Sequence, residues 1–124
     1  MDLDKIIKKP DFIKKKWGGE VIITNNEEYC GKILKFNKGS QFSMHFHVKK
    51  KETWMVVKGS LKLVLIDTTN AEKIYIKIYE GDVVEIDRFQ PHQLYAIEDS
   101  EIFEVSTTHY DEDSYRVEKG DSQK

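Results

Sequence analysis

Short runs of β-forming residues, separated by turn signals, most strongly limit how this chain can fold. Asparagine and glycine clusters at 25–26, 37–40, 58–60 and 80–82 indicate turns. Strands are predicted over residues 20–24, 29–36, 41–48, 52–57, 61–66, 73–79, 82–86, 93–97 and 102–106. Helical periodicity is almost absent. This pattern predicts an all-β barrel or sandwich, and the length of 124 residues suits one domain with one core.

Two histidines one residue apart, His45 and His47, lie in the strand predicted over residues 41–48. Side chains alternate along a strand, so the two imidazoles face the same side. Glu52 follows after a short turn, and His92 comes from a distant strand. Three imidazoles and one carboxylate suit a divalent ion such as Zn, Mn, Fe, Ni or Co. The spacing therefore predicts a metal site made of His45, His47, Glu52 and His92.

Gly39 and Gly59 complete the spacing G-x5-H-x-H-x4-E-x6-G, which resembles the first conserved motif of the cupin family. The stretch 81–92, GDVVEIDRFQPH, resembles the second motif. The resemblance implies a single-domain all-β cupin, a double-stranded β-helix or jelly-roll barrel, with a metal ion inside. The predicted boundaries are a short N-terminal arm over 1–16, the cupin barrel over 17–118 and a loose polar tail over 119–124.

A finer resemblance is to the C-terminal cupin domain of type II phosphomannose isomerases, which also carry mannose-1-phosphate guanylyltransferase. The shared motifs are Trp17-Gly18, Glu52-Thr53-Trp54, Val56-Val57-Lys58-Gly59, Glu104-Val105, Tyr110, the acidic run 111–113 and Arg116. The nucleotidyltransferase domain is absent, and Thr53 and Gln93 replace a His and an Arg of that family. The resemblance implies an isomerase or epimerase of a sugar phosphate similar to mannose 6-phosphate.

As an isomerase, the protein would use Arg116 to bind the phosphate of its small-molecule substrate. Glu52 would move the proton between neighbouring carbons if it is only weakly bound to the ion; otherwise an unidentified residue is the base. Lys16 and Arg88 are further candidates for the phosphate. Two other functions remain open at this point. The ligand set also suits an Fe(II)-dependent dioxygenase of a small substrate, and the chain could be a non-catalytic sugar-binding cupin.

Composition excludes several classes of partner. The net charge of −2 gives no indication of nucleic-acid binding, and no apolar run approaches the length that spans a bilayer. The N-terminal residues lack the apolar core of a signal peptide, and the single cysteine, Cys30, cannot form an internal disulfide. A cytoplasmic location is therefore expected.

The strand that carries the histidines predicts one further interaction. Phe42, Met44 and Phe46 alternate with the histidines and are expected to form an apolar outer face. The N-terminal arm, the second sheet of the same sandwich or a second subunit could cover this face. Because the arm is short and rich in lysine, a second subunit is favoured, which predicts a homodimer. The lysines at 49–51, which follow directly, are interpreted as the solvated tip of a turn.

Overall fold

A computed structural model of the chain describes residues 1–124. Its strands are β1 (Asp11–Lys15), β2 (Gly18–Asn25), β3 (Cys30–Phe36), β4 (Met44–Phe46), β5 (Glu52–Lys58), β6 (Ser60–Ile66), β7 (Lys73–Tyr79), β8 (Val83–Ile86), β9 (His92–Ala96), β10 (Ser100–Ser106) and β11 (Tyr115–Glu118). The only helices are two short 3-10 turns, Leu3–Lys5 and Asp121–Gln123. None is long and apolar enough to cross a membrane. The all-β prediction is confirmed.

The strands form two antiparallel sheets that pack face to face. One sheet has the order β1-β2-β3-β10-β5-β8, and the other has the order β11-β4-β9-β6-β7. Trp54 and Ile102 from the first sheet and Leu61 and Leu94 from the second belong to one buried core. Each such side chain contributes roughly 1.5–3 kcal/mol when it leaves water. A polar cavity adjoins this core, and Trp17, Leu34 and Phe42 belong to both.

Two strands, β1 and β11, were not among those predicted. Their residues are almost all exposed, and each strand lies at the edge of its sheet. Because neither strand buries a continuous face, the period-two alternation that identifies strands is absent. The strand predicted over 41–48 is shorter than expected, since β4 covers only Met44–Phe46.

The apolar face from which a homodimer was predicted, formed by Met44 and Phe46, is covered by residues of the same chain. Met44 is fully buried, and the ring of Phe46 stacks on Tyr115 of β11 at a centroid distance of 5.3 Å. Phe42 lies in the core rather than on this face, because regular β4 pairing begins only at Met44. The homodimer stays a prediction, without the support of an uncovered face.

The C-terminal segment is hydrogen-bonded to the barrel. Asp121 N donates to Gln41 O at 3.0 Å, and Gln41 N donates to Asp121 Oδ2 at 2.8 Å. Lys16 N donates to Ser122 Oγ at 3.2 Å. Residues 119–124, which their polar composition predicts to be loose, therefore have defined hydrogen-bond partners, and Ser122 and Gln123 line the cavity.

Gly59, in the turn between β5 and β6, allows two loops to approach closely. Its φ is +85°, and a Cβ atom would lie 2.3 Å from Ser100 Oγ and 2.5 Å from Asp99 O. Gly59→Ala is expected to lower the free energy of unfolding by about 3 kcal/mol, measured by urea denaturation. Gly81 is the matched control, because its φ is +87° but nothing lies near its Cβ position. Gly81→Ala should cost only about 1 kcal/mol; equal losses for both would show that the close approach does not matter.

Candidate metal centre

The cavity at the open end of the barrel has a volume of about 450 Å³ and is lined by histidines and charged side chains. The second sheet supplies His45 on β4 and His92 at the start of β9, which are paired directly across the two strands. His47 lies just beyond β4, and Glu52 begins β5 on the opposite sheet. The site is therefore built from both walls of the barrel.

The structure brings the three predicted imidazoles together. One ring nitrogen from each of His45, His47 and His92 lies within 4.8 Å of the other two. Glu52 lies beside this group, with Oε2 at 3.4 Å from His47 Nε2 and Oε1 at 4.0 Å from His92 Nε2. All four residues line one cavity, and they could hold a single ion.

Hydrogen bonds fix which nitrogen of each ring faces the cavity. The Nδ1 atoms of His45 and His92 contact the carbonyl oxygens of Ser43 and Gln90 at 2.7 and 2.8 Å. His47 Nδ1 contacts the carbonyl oxygen of Asp113. A carbonyl oxygen can only accept, so Nδ1 must carry the proton and Nε2 keeps its lone pair. Each imidazole is thereby oriented as a ligand.

Two buried polar atoms at the centre, His92 Nε2 and Glu52 Oε2, make no hydrogen bond. Glu52 Oε2 has only long contacts, 3.4 Å to His47 Nε2 and 3.5 Å to Lys50 Nζ. A buried polar atom without a hydrogen bond costs about 1–3 kcal/mol, and a cation bound between the two atoms would satisfy both. The donor set and these two atoms therefore fit a divalent metal ion.

Burial also favours the uncharged form of two of the imidazoles, His45 and His92. It lowers the pKa of His92 to about 3 and that of His45 well below its usual value, with neighbouring histidines adding to the effect in both cases. Neutral imidazole is the form that binds a metal, so protons compete weakly for these nitrogens near neutral pH.

The lowered pKa of His92 predicts how the metal-free protein responds to acid. Unfolded histidine titrates near 6.5 and folded His92 near 3, so the unfolded chain binds more protons between these values. The free energy of unfolding should be greatest above pH 6.5 and decrease as the pH falls toward 3. Histidine NMR titration of the metal-free protein should show a neutral His92 ring at pH 5; a protonated ring at that pH would contradict the assignment.

A comparison with known families identifies the chain. A family model described as Cupin matches residues 20–118. The chain is a cupin. No curated protein matches its sequence.

Solved structures of other cupin-like chains share the fold. The capsular polysaccharide assembling protein CapF from Staphylococcus aureus has 16% identity and a TM-score of 0.76, covering 95% of this chain and 35% of that one. KdgF from Halomonas sp. has 20% identity and a TM-score of 0.69, covering 82% and 89%. Oxalate decarboxylase from Bacillus subtilis has 16% identity and a TM-score of 0.75, covering 87% and 30%.

This cupin thus spans about a third of CapF and of oxalate decarboxylase, and most of KdgF. Identities this low show the fold alone. The Bacillus subtilis decarboxylase has Mn(II) centres, and a divalent-metal cofactor fits both this family setting and the three histidines of this cupin.

Lys50 is buried at the site, whereas the sequence predicted a solvated position for it. Its side chain is 4% exposed. Its Nζ lies 3.1 Å from Glu104 Oε2 and 3.5 Å from Glu52 Oε2. Burial alone would lower the pKa of Lys50, but Glu104 and Glu52 outweigh that effect and raise it. The lysine is therefore charged inside the barrel, beside the histidines.

The other predicted cations separate into two groups. Arg116 on β11 lines the cavity and is paired across the strands with His45. Lys16 is exposed and is not part of the cavity lining. Arg88 is also outside the lining, and its Nε donates to Lys49 O at 2.9 Å. The expectation that Lys16 and Arg88 face a bound phosphate is not supported by their positions.

Asp113 organises the loop that carries Lys50, a role that the acidic run did not reveal. Its carboxylate accepts hydrogen bonds from the backbone N–H groups of Val48, Lys49 and Lys50 at 2.8 to 3.1 Å. Its carbonyl oxygen accepts from His47 Nδ1. One buried residue thus fixes the loop between β4 and β5 and the orientation of one imidazole.

Proposed function

We propose that this cupin is a metal-dependent isomerase or epimerase of a small sugar phosphate similar to mannose 6-phosphate. The observation that carries the proposal is the charge of the cavity lining. Its carboxylates and its permanent cations are equal in number: Glu20, Glu52, Glu104 and Asp111 against Lys15, Lys32, Lys50 and Arg116. A divalent ion would make the cavity positive, which favours an anionic, oxygen-rich ligand.

The ion and the phosphate of the substrate would be bound by different residues. His45, His47, Glu52 and His92 would hold the ion, which as a Lewis acid polarises a carbonyl oxygen when bound. Arg116 would bind the phosphate, because a guanidinium can donate two parallel hydrogen bonds to it. The resemblance of the closing segment to type II phosphomannose isomerases supports this role.

Proton transfer is assigned to Glu52. Its Oε1 accepts a hydrogen bond from Trp54 Nε1 at 2.7 Å, which fixes the carboxylate. Its Oε2 makes no hydrogen bond and is the oxygen that would contact a cation or accept a proton. An isomerase must move a proton between adjacent carbons. Glu52 would be that base if it binds the ion only weakly; if it binds the ion tightly, another residue must carry the proton.

The test is an aldose–ketose interconversion assay with mannose 6-phosphate, performed without oxygen and with Mn, Zn, Co or Ni supplied in turn. Turnover that depends on the metal is expected. Arg116→Met should raise KM about tenfold to a hundredfold, the loss of a charged hydrogen-bonded pair, while metal content stays unchanged. Saturable sugar binding with no turnover under any of these metals would instead indicate a non-catalytic sugar-binding cupin.

The same ligand set suits Fe(II), so a dioxygenase of a small substrate is the second candidate. The observation that favours it is the group of three histidines and one glutamate facing one cavity. Oxygen dependence separates the two functions. A dioxygenase would consume oxygen with iron and be inactive without it, whereas the isomerase would be active in both conditions.

A further inference from the structure

Lys50 places a buried ammonium between two buried carboxylates. Its contact with Glu104 is 3.1 Å, and its contact with Glu52 is 3.5 Å. All three side chains are at most 4% exposed. The shorter contact is also a hydrogen bond, so the ammonium is held mainly by Glu104 and faces Glu52 as a second, looser partner.

Glu52 presents the same oxygen to the ammonium and to the imidazoles. Its Oε1 is taken by the indole N–H of Trp54. Its Oε2 lies 3.4 Å from His47 Nε2 and 3.5 Å from Lys50 Nζ, with no hydrogen bond of its own. Any cation bound among the imidazoles must therefore share this one oxygen with the ammonium.

We propose that Lys50 sets how tightly the centre holds its cation, because its ammonium competes with that cation for Glu52 Oε2. Glu104 limits the competition because it also binds the ammonium. This proposal rests on the divalent-metal centre of the proposed function and is independent of the substrate. Lys50 acts on the cation through Glu52 and is a positioning residue.

The two neighbours have opposite effects on metal affinity. Removing the ammonium removes the repulsion between two nearby positive charges and frees Glu52 Oε2, so the cation binds more tightly. Removing the charge of Glu104 leaves Glu52 as the only carboxylate partner of the ammonium, so the cation binds less tightly. A purely structural role for the pair would weaken metal binding in both cases, because each change would loosen the site.

The experiment measures the affinity for Mn(II) and Zn(II) by competition with a chromophoric chelator. Lys50→Met is expected to bind at least about tenfold more tightly than the wild type, and Glu104→Gln at least about tenfold less tightly, as expected for charges a few ångströms apart. The double variant, which keeps the total charge, should lie within about threefold of the wild type.

Lys32 and Glu20 form the matched control. Their side chains form a salt bridge of 3.0 Å, and both residues line the same cavity. Lys32 is buried, as Lys50 is. Neither residue forms an ion pair or a hydrogen bond with Glu52, so Lys32→Met should change metal affinity by less than about threefold. A change as large as that of Lys50→Met would show that any cavity charge acts in the same way, and this would overturn the specific role of Lys50.

Several outcomes decide between the proposal and a structural role. Weaker binding in both single variants, or unchanged affinity in Glu104→Gln, would overturn the proposal. If Lys50→Met fails to fold in thermal unfolding, Glu104→Gln and the double variant still decide, because the proposal requires the double variant to regain affinity. If the variants show the predicted metal affinities but the protein has no isomerase turnover, only the substrate assignment is contradicted. If turnover is normal but the metal affinities of the variants are unchanged, only the role of Lys50 is contradicted.

Discussion

His47→Ala is expected to lower the affinity for Mn(II) or Zn(II) by more than about a hundredfold. Loss of a residue that only orients a ligand costs about ten- to a hundredfold, and loss of the ligand itself should cost more. The variant would leave His45 and His92 as the only imidazoles at the centre. Metal content after purification, together with chelator competition, measures the effect.

His109 provides the matched histidine control. It lines the same cavity, but it is not part of the group of three. Its Nε2 contacts Asp111 at 3.0 Å, and its Nδ1 lies 3.4 Å from Lys50 Nζ, a contact that the polar side chain of glutamine can replace. His109→Gln should change the metal content little. If His47→Ala retained the metal content of the wild type, His47 would not be a ligand.

Asp113→Ala is expected to destabilise the protein by about 3 kcal/mol, since it leaves several backbone N–H groups without a charged acceptor. Val48, Lys49 and Lys50 would lose this acceptor. Alanine keeps the backbone carbonyl that contacts His47 Nδ1, but that carbonyl would no longer be held in place by the carboxylate contacts to the loop. Metal affinity should therefore decrease by about ten- to a hundredfold as well. Urea unfolding and chelator competition measure the two effects.

The effect of Asp113 should also depend on pH. Burial alone would raise the pKa of its carboxyl, but the backbone N–H groups of residues 48–50 outweigh burial and lower it below 3.8. Its stabilising effect is therefore complete above about pH 4 and is lost as the pH falls through the folded pKa. Glu112→Ala, an exposed acidic neighbour, should change stability by less than about 0.5 kcal/mol at any pH. A similar loss in both variants would contradict the role of Asp113.

The fold could be predicted from the sequence because its signals are local. Turn residues and period-two alternation locate most of the strands, and the spacing from Gly39 to Gly59 marks the family. β1 and β11 were not predicted, since exposed edge strands have no buried face and therefore no alternation of apolar and polar residues. The face assigned to Phe42 was wrong because alternation was extended beyond the short β4.

The candidate site was predictable where strand geometry alone decides it. His45, His47, Glu52 and His92 converge on one cavity as the spacing predicts, while their role as ligands stays a prediction. Lys50 has the same parity as Glu52 and Trp54, so alternation indicates an inward side chain, although a run of three lysines is typical of a solvated turn. Asp113 could not be found in this way, because its partners are more than sixty positions away in the chain.

Diffraction from crystals soaked in Mn(II), recorded at the manganese absorption edge, tests the metal centre most directly. A single anomalous peak is expected between the Nε2 atoms of His45, His47 and His92 and Oε2 of Glu52. Removal by a chelator should abolish the peak without unfolding the protein. A peak elsewhere, or no peak at this position with Mn(II), Zn(II) or Fe(II) in excess, would contradict a cation held by three imidazoles and one carboxylate.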